Sequence, residues 1–241
     1  MTTILILGSG PDSVRARDMP RGAFDRIVTI NNAWRIRDDW DELIHPWDFP
    51  EDRRPVCLRP GQRIVDDRLF VPAQNALGGF VYAGGTMAFT AGYWALFEHR
   101  PSVIAYLGCD MVYAPSGPTH FYGTGSPDPL RDDITLASLE AKSARLMVMA
   151  ARRDCAVVNL SEGPSRLIVP RATAAAVRRQ RPAEFDNCLA LKALGYERAL
   201  DYMVPSGRYW EEQHRFDHAK LARLDELWLA SARPGERAEA A

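Results

Sequence analysis

Short aliphatic runs recur along the chain, and most of them stop at a glycine, an amide or a histidine. Thr3–Leu7 ("TILIL"), Arg26–Ile30 ("RIVTI") and the shorter Glu42–Ile44 ("ELI") come first; residues 102–108 ("SVIAYLG") and 155–160 ("CAVVNL") come later. Apolar runs this short, with little alternation, predict strands buried on both faces. Residues 64–71 predict a short strand or hairpin, and 47–63, rich in Pro, Asp and Arg, predict a loop. The pattern then changes at "GGTMAFTAGYWALFEH". Two glycines lead into a helix from about Thr86 to Glu98, in which Met87, Phe89, Tyr93, Trp94, Leu96 and Phe97 cover most of the circumference. A helix apolar nearly all round is a buried one. Asp132 or Asp133 is placed to cap a further helix to about Arg152, with Leu136, Leu139, Leu146 and Met147 on a repeating face.

Strands that alternate with helices imply parallel crossovers, hence an α/β fold: a doubly wound, mainly parallel, Rossmann-like sheet. Over 172–232 the strand signals vanish and charged helical segments take over. The expected organisation is an α/β domain over 1–170, a C-terminal helical appendage over 171–233 and a frayed tail over 234–241.

Composition narrows the function classes. With 30 basic and 31 acidic side chains the net charge is −1, so nonspecific nucleic-acid binding is not favoured. No apolar run approaches the ~20 residues of a membrane helix, and Ile4–Leu7 is too short for a signal peptide. Cysteines 57, 109, 155 and 188 form no CxxC pair and are read as free thiols in a reducing cytoplasm.

In an open parallel sheet, ligands bind outside the carboxyl ends of the strands. Those ends carry Gly8, Ser9, Gly10 and Pro11 after the first strand, Asn31 and Asn32 after the second, His45 after the third, and Gly108 and Asp110 after the strand at 102–108. Gly84, Gly85 and Thr86 precede the buried helix, where backbone amides suit an anion. A dinucleotide fingerprint would need glycine at Ser13 and an acid at Asn31, so NAD is disfavoured. There is no GxxxxGK[ST], and none of the three lysines lies in a glycine turn, which disfavours a lysine-anchored triphosphate site. His214 and His218 stand four apart on an expected helix, but no third ligand accompanies them, so no metal site is expected. Residues 109–133 form a long loop holding His120, the natural general base of the region.

These residues together resemble the bacterial sialyltransferases of glycosyltransferase family 42. They also resemble the wider group of GxGPS proteins, which includes motility-associated flagellin glycosyltransferases and hydroxymethylpterin diphosphokinases. "LGSGPDS" resembles the GxGPS loop along the nucleotide, and "INNAW" its second-strand segment, with Asn31 at the nucleotide. "IHPW" stands where the family has Asn-Pro, putting His45 in place of a nucleotide-binding amide. "AGGTMAFTAGYWAL" resembles the Thr-Ser-Gly turn and buried helix, and "YLGCDMVY" a Gly-x-Asp-x-Tyr segment at the ribose and base.

The resemblance covers 3–165 in pieces and implies metal-independent transfer from a nucleotide-activated sugar, CMP-linked by preference, with no added cofactor. His120 would be the base on the acceptor hydroxyl, while Tyr113 and Tyr122 would steady the departing phosphate. A glycan or small hydroxyl compound would be the acceptor. Homo-oligomers are common in that group, and its setting is the cytoplasm or the inner-membrane periphery. A pterin or other pyrophosphoryl transferase and a non-catalytic nucleotide-binding module are the alternatives.

Overall fold

The computed structural model describes residues 1–113, 116–125 and 132–233; the tail expected over 234–241 lies outside them. Six strands form one sheet: β1 (Thr3–Leu7), β2 (Arg26–Ile30), β3 (Glu42–Ile44), β4 (Arg63–Val65), β5 (Val103–Leu107) and β6 (Ala156–Asn159). Their order is β4-β3-β2-β1-β5-β6, and every neighbouring pair is parallel. The expected α/β parallel sheet is therefore present. The order reverses between β1 and β5, where their carboxyl ends, Leu7 and Leu107, are in register. A crevice opens at such a reversal, because the two connections leave in opposite directions.

The side chains of β1 alternate between two cores. Ile4 and Ile6 join one face and Leu5 and Leu7 the other. All the described α-helices pack on the first face: α1 (Asp67–Asn75), α2 (Phe80–Ala83), α3 (Met87–Glu98), α4 (Leu139–Ala151), α5 (Asn187–Leu200) and α6 (His218–Ser231). The second face is covered by 3-10 turns and irregular chain, through Ala16, Phe24, Ala33, Ile36, Trp40 and Val177. The C-terminal helices share the first core, and α6 packs on α4.

Three local expectations need correction. The segment 64–71 does not continue as a hairpin: after β4, Asp66 accepts the Arg68 N–H and starts α1. Pro72 lies inside that helix and removes a backbone bond, a cost met by burying Phe70 and Ala73. Asp133 caps a 3-10 turn, Ile134–Leu136, by accepting from Thr135 N, and α4 takes a new cap, Ser138, which accepts from Ala141 N. His214 and His218 do not share a helix, because the first lies in a 3-10 turn (Gln213–Arg215) and the second opens α6. The four cysteines are unpaired. No described helix is long and apolar enough to cross a membrane.

Candidate functional site

A cleft of about 660 Å³ lies over the carboxyl ends of β1, β2 and β5. The expected residues Gly8, Ser9, Gly10, Pro11, Asn31, Thr86, Gly108, Asp110, Tyr113, His120 and Tyr122 all line it; His45, Gly84 and Gly85 do not. The floor is built by close backbone approach. A Cβ on Gly8 would stand 2.3 Å from Gly108 O, and one on Gly10 2.8 Å from the same oxygen. Gly108 has φ +69, and its missing Cβ would meet Ser13 Cβ at 2.5 Å. Ser13, which stands at the position of a fingerprint's third glycine, donates its hydroxyl to Gly10 O at 2.6 Å.

These glycines bring two strand ends together; they do not form an amide cradle. Gly8 N donates to Leu107 O and Gly10 N to Gly108 O. Gly84 N donates to Phe80 O and Gly85 N to Thr135 Oγ1, so the reading of 84–85 as anion-binding amides is corrected. A partner fifty residues away takes the Gly85 amide, and a Cβ there would strike Tyr209 Oη at 2.5 Å. The start of α3 does offer amides to an anion. Thr86 caps it through Phe89 N, while Met87 and Ala88 line the cleft in the first turn, where N–H groups have no partner within the helix.

Asn31 takes a left-handed backbone (φ +51), which asparagine tolerates better than most residues. Asn32 is 4 % exposed, and neither Asn31 Oδ1 nor Asn32 Oδ1 finds a hydrogen-bond partner. His45 sits behind this wall. Its Nδ1 donates to Pro46 O at 2.8 Å, and its ring packs on Phe49, which does line the cleft. Asp110 accepts from the buried Asn159 Nδ2 at 2.8 Å.

His120 is carried on a tight turn, with His120 N bonded to Gly123 O and Gly123 N to His120 O. Phe121 N donates to Ser9 O at 3.0 Å, which pins the turn to the β1 loop. The imidazole stacks on Tyr122 at 5.0 Å, and the Tyr113 ring is 6.2 Å away. Nδ1 lies 2.8 Å from Thr119 Oγ1, which also receives Gly125 N at 2.9 Å and reaches Gly125 O at 3.2 Å. All three contacts are satisfied together only if Nδ1 carries the proton and Thr119 donates to Gly125 O. Nε2 is then a lone pair. Burial lowers the His120 pKa from 6.5, favouring the neutral ring.

Among the cleft residues that the sequence did not single out for a role are Asp12, Phe49, Arg53 and Thr119, and Asn32 was read only as a strand-end amide. Asn32 had a signal, the doubled amide in "INNAW"; Arg53 had none, being one basic residue in a loop rich in them. Among the described residues no group of three or more His, Cys, Asp or Glu could hold a metal ion. Comparisons of the chain with protein-family models, with curated proteins and with solved structures find no significant match.

Proposed function

We propose that the cleft takes a nucleotide-activated sugar, CMP-linked by preference, and that the chain is a metal-independent glycosyltransferase. The observation that carries this reading is the His120 imidazole, bonded through Nδ1 to Thr119 and lining the cleft at the strand-order reversal of a parallel sheet. Nucleotides bind at such reversals. The first turn of α3 would receive the phosphate, and Gly108 and Asp110 would line the nucleoside side. His120 Nε2 would take the proton of the acceptor hydroxyl as its oxygen bonds to the anomeric carbon. The bond from that carbon to the phosphate oxygen breaks, and the nucleotide leaves with the electron pair. Tyr113 and Tyr122, whose rings lie beside the imidazole, would donate to that phosphate.

Calorimetric titration with CMP, UDP and GDP tests the binding half, and failure of all three to bind would sink it. For the chemistry, His120→Ala should cut turnover by about 10²–10⁴-fold with little change in nucleotide affinity. Equal loss of both would remove His120 as the base. A pyrophosphoryl transferase is the second reading, favoured by two carboxylates, Asp12 and Asp110, on one cleft. Strict dependence of turnover on a divalent cation would select it.

A further inference from the structure

Arg53 is the one arginine or lysine among the described residues lining the cleft. Its backbone is fixed: Arg53 N donates to Pro50 O at 3.1 Å and Arg53 O accepts Trp34 Nε1 at 3.0 Å. Its neighbour Arg54 is spent inside the loop, donating Nε to Phe49 O. Other arginines of this region are also engaged, Arg15 with Asp12 and Glu162, Arg37 with Asp39, and Arg63 with Glu42. No carboxylate of the described chain pairs with Arg53. The two cleft acids are held elsewhere, Asp12 by Arg15 and Glu162 N, and Asp110 by Asn159.

Asn31 and Asn32 line the same cleft and belong to the same 3-10 turn, Asn31–Arg35, as Trp34, whose indole is bonded to Arg53 O. Asn32 is nineteen-twentieths buried with an orphan Oδ1, and a buried polar atom without a partner is rare enough to need a cause. Phe49, backed by His45, walls the cleft with an apolar face.

We infer that the β2–β3 end of the cleft is a second anion subsite, in which Arg53 supplies the positive charge and the orphan Oδ1 atoms of Asn31 and Asn32 accept from hydroxyl groups of the ligand next to the anion. The inference rests on the nucleotide reading and sharpens it. Beyond the phosphate attached to the nucleoside, the ligand bears another ionised group, either a second phosphate or a sugar carboxylate. A guanidinium fits both, since each presents paired oxygens to its fork.

The test is calorimetric, on wild-type protein and on Arg53→Ala, which alters an exposed rim residue. The ligands are UMP, UDP, UDP-glucose, UDP-glucuronate, CMP, CMP-linked neuraminate and inorganic pyrophosphate. Wild type should bind at least one ligand with the extra anion about tenfold tighter than its counterpart without it. In Arg53→Ala that ratio should fall to about one, and Arg53→Lys should restore part of it. A gain confined to the diphosphates assigns the group as phosphate, and a gain confined to the uronate or neuraminate assigns it as carboxylate. No gain in wild type, or a gain that survives Arg53→Ala, overturns the subsite. If no nucleotide binds but pyrophosphate binds only wild type, the nucleotide reading fails and the subsite stands. If pyrophosphate does not bind either, both fall.

Discussion

Thr119 carries one hydroxyl proton, and three neighbours compete for its oxygen. Their geometry sends that proton to Gly125 O and leaves the oxygen to accept from Gly125 N and His120 Nδ1. On the proposed function Thr119 is a positioning residue: its hydrogen bonds select which imidazole nitrogen is basic. Thr119→Val should lower kcat about tenfold or more with donor KM nearly unchanged, and Thr119→Ser should restore it. Loss in both variants alike would mean that the loop needs the threonine methyl and not its hydroxyl. The pH profile follows from the same site. Burial depresses the His120 pKa from 6.5, and a base works only when unprotonated. The rate should be flat near neutrality and fall as pH drops through a value below 6.5, an acid limb that His120→Ala abolishes. Of this arrangement, the sequence offered His120 itself, a lone histidine in a long loop. Thr119 could not be read, because its role depends on Gly125 folding back across the turn. The amides of Gly84 and Gly85 were misread for the same kind of reason: Thr135, which takes one of them, lies far along the chain.

At the scale of elements, the strands were the most legible parts. Apart from β4, which stops at Val65 where a strand or hairpin to 71 was expected, each is an aliphatic run closed by a residue that turns the chain, and its ends lie within a residue of those expected. The helix α1 was obscured by Pro72, and the 3-10 turns on the second face carry too few residues to show a period. One strand also hides a charge. Glu42, in β3, is wholly buried and accepts from Trp94 Nε1, His99 Nε2 and Arg63 Nε. Burial opposes its ionisation, but these donors outweigh it and hold the carboxyl at about 2, against an ordinary 4.5. A depressed carboxylate contributes stability that is complete above its unfolded pKa and is lost as pH falls through the folded one. Glu42 should therefore contribute on the order of 3 kcal/mol near neutrality, and this should disappear between about pH 4.5 and 2. Urea unfolding of wild type across that window should show the loss. Glu42→Gln should be less stable at pH 7 and flatter below 4.5; an unchanged slope would assign the acid sensitivity to other carboxylates.

On the scale of the whole molecule, the question is how the C-terminal helices relate to the sheet that carries the cleft. Two buried ion pairs join them through α4. Lys142 Nζ meets Asp225 of α6 at 2.8 Å, and burial pushes the Asp225 carboxyl up while Lys142 draws it back. Arg145, with no exposed surface, donates to both oxygens of Glu197 in α5, to Tyr93 Oη of α3 and to Leu77 O. Trp228 of α6 donates its indole N–H to the same Glu197. A further line runs from Tyr209 Oη to Asp133 Oδ2, and from Asp133 through Thr135 to Gly85 at the head of α3. The C-terminal segment thus braces the turn that aims α3 at the cleft. Removing Glu197 would strand a buried guanidinium, which costs roughly 3–5 kcal/mol, whereas replacing both partners by apolar residues of similar volume is often close to neutral. Glu197→Ala should accordingly unfold at markedly lower denaturant, and Arg145→Met with Glu197→Leu should recover most of the loss. The form of the transition carries the structural point. If the helices and the sheet are one cooperative body, far-UV circular dichroism and tryptophan fluorescence should give coincident curves in wild type and in Glu197→Ala. Two separated transitions would instead mean that α5 and α6 fold as an appendage of their own, and that the line from Tyr209 to Gly85 is not needed to hold the cleft open.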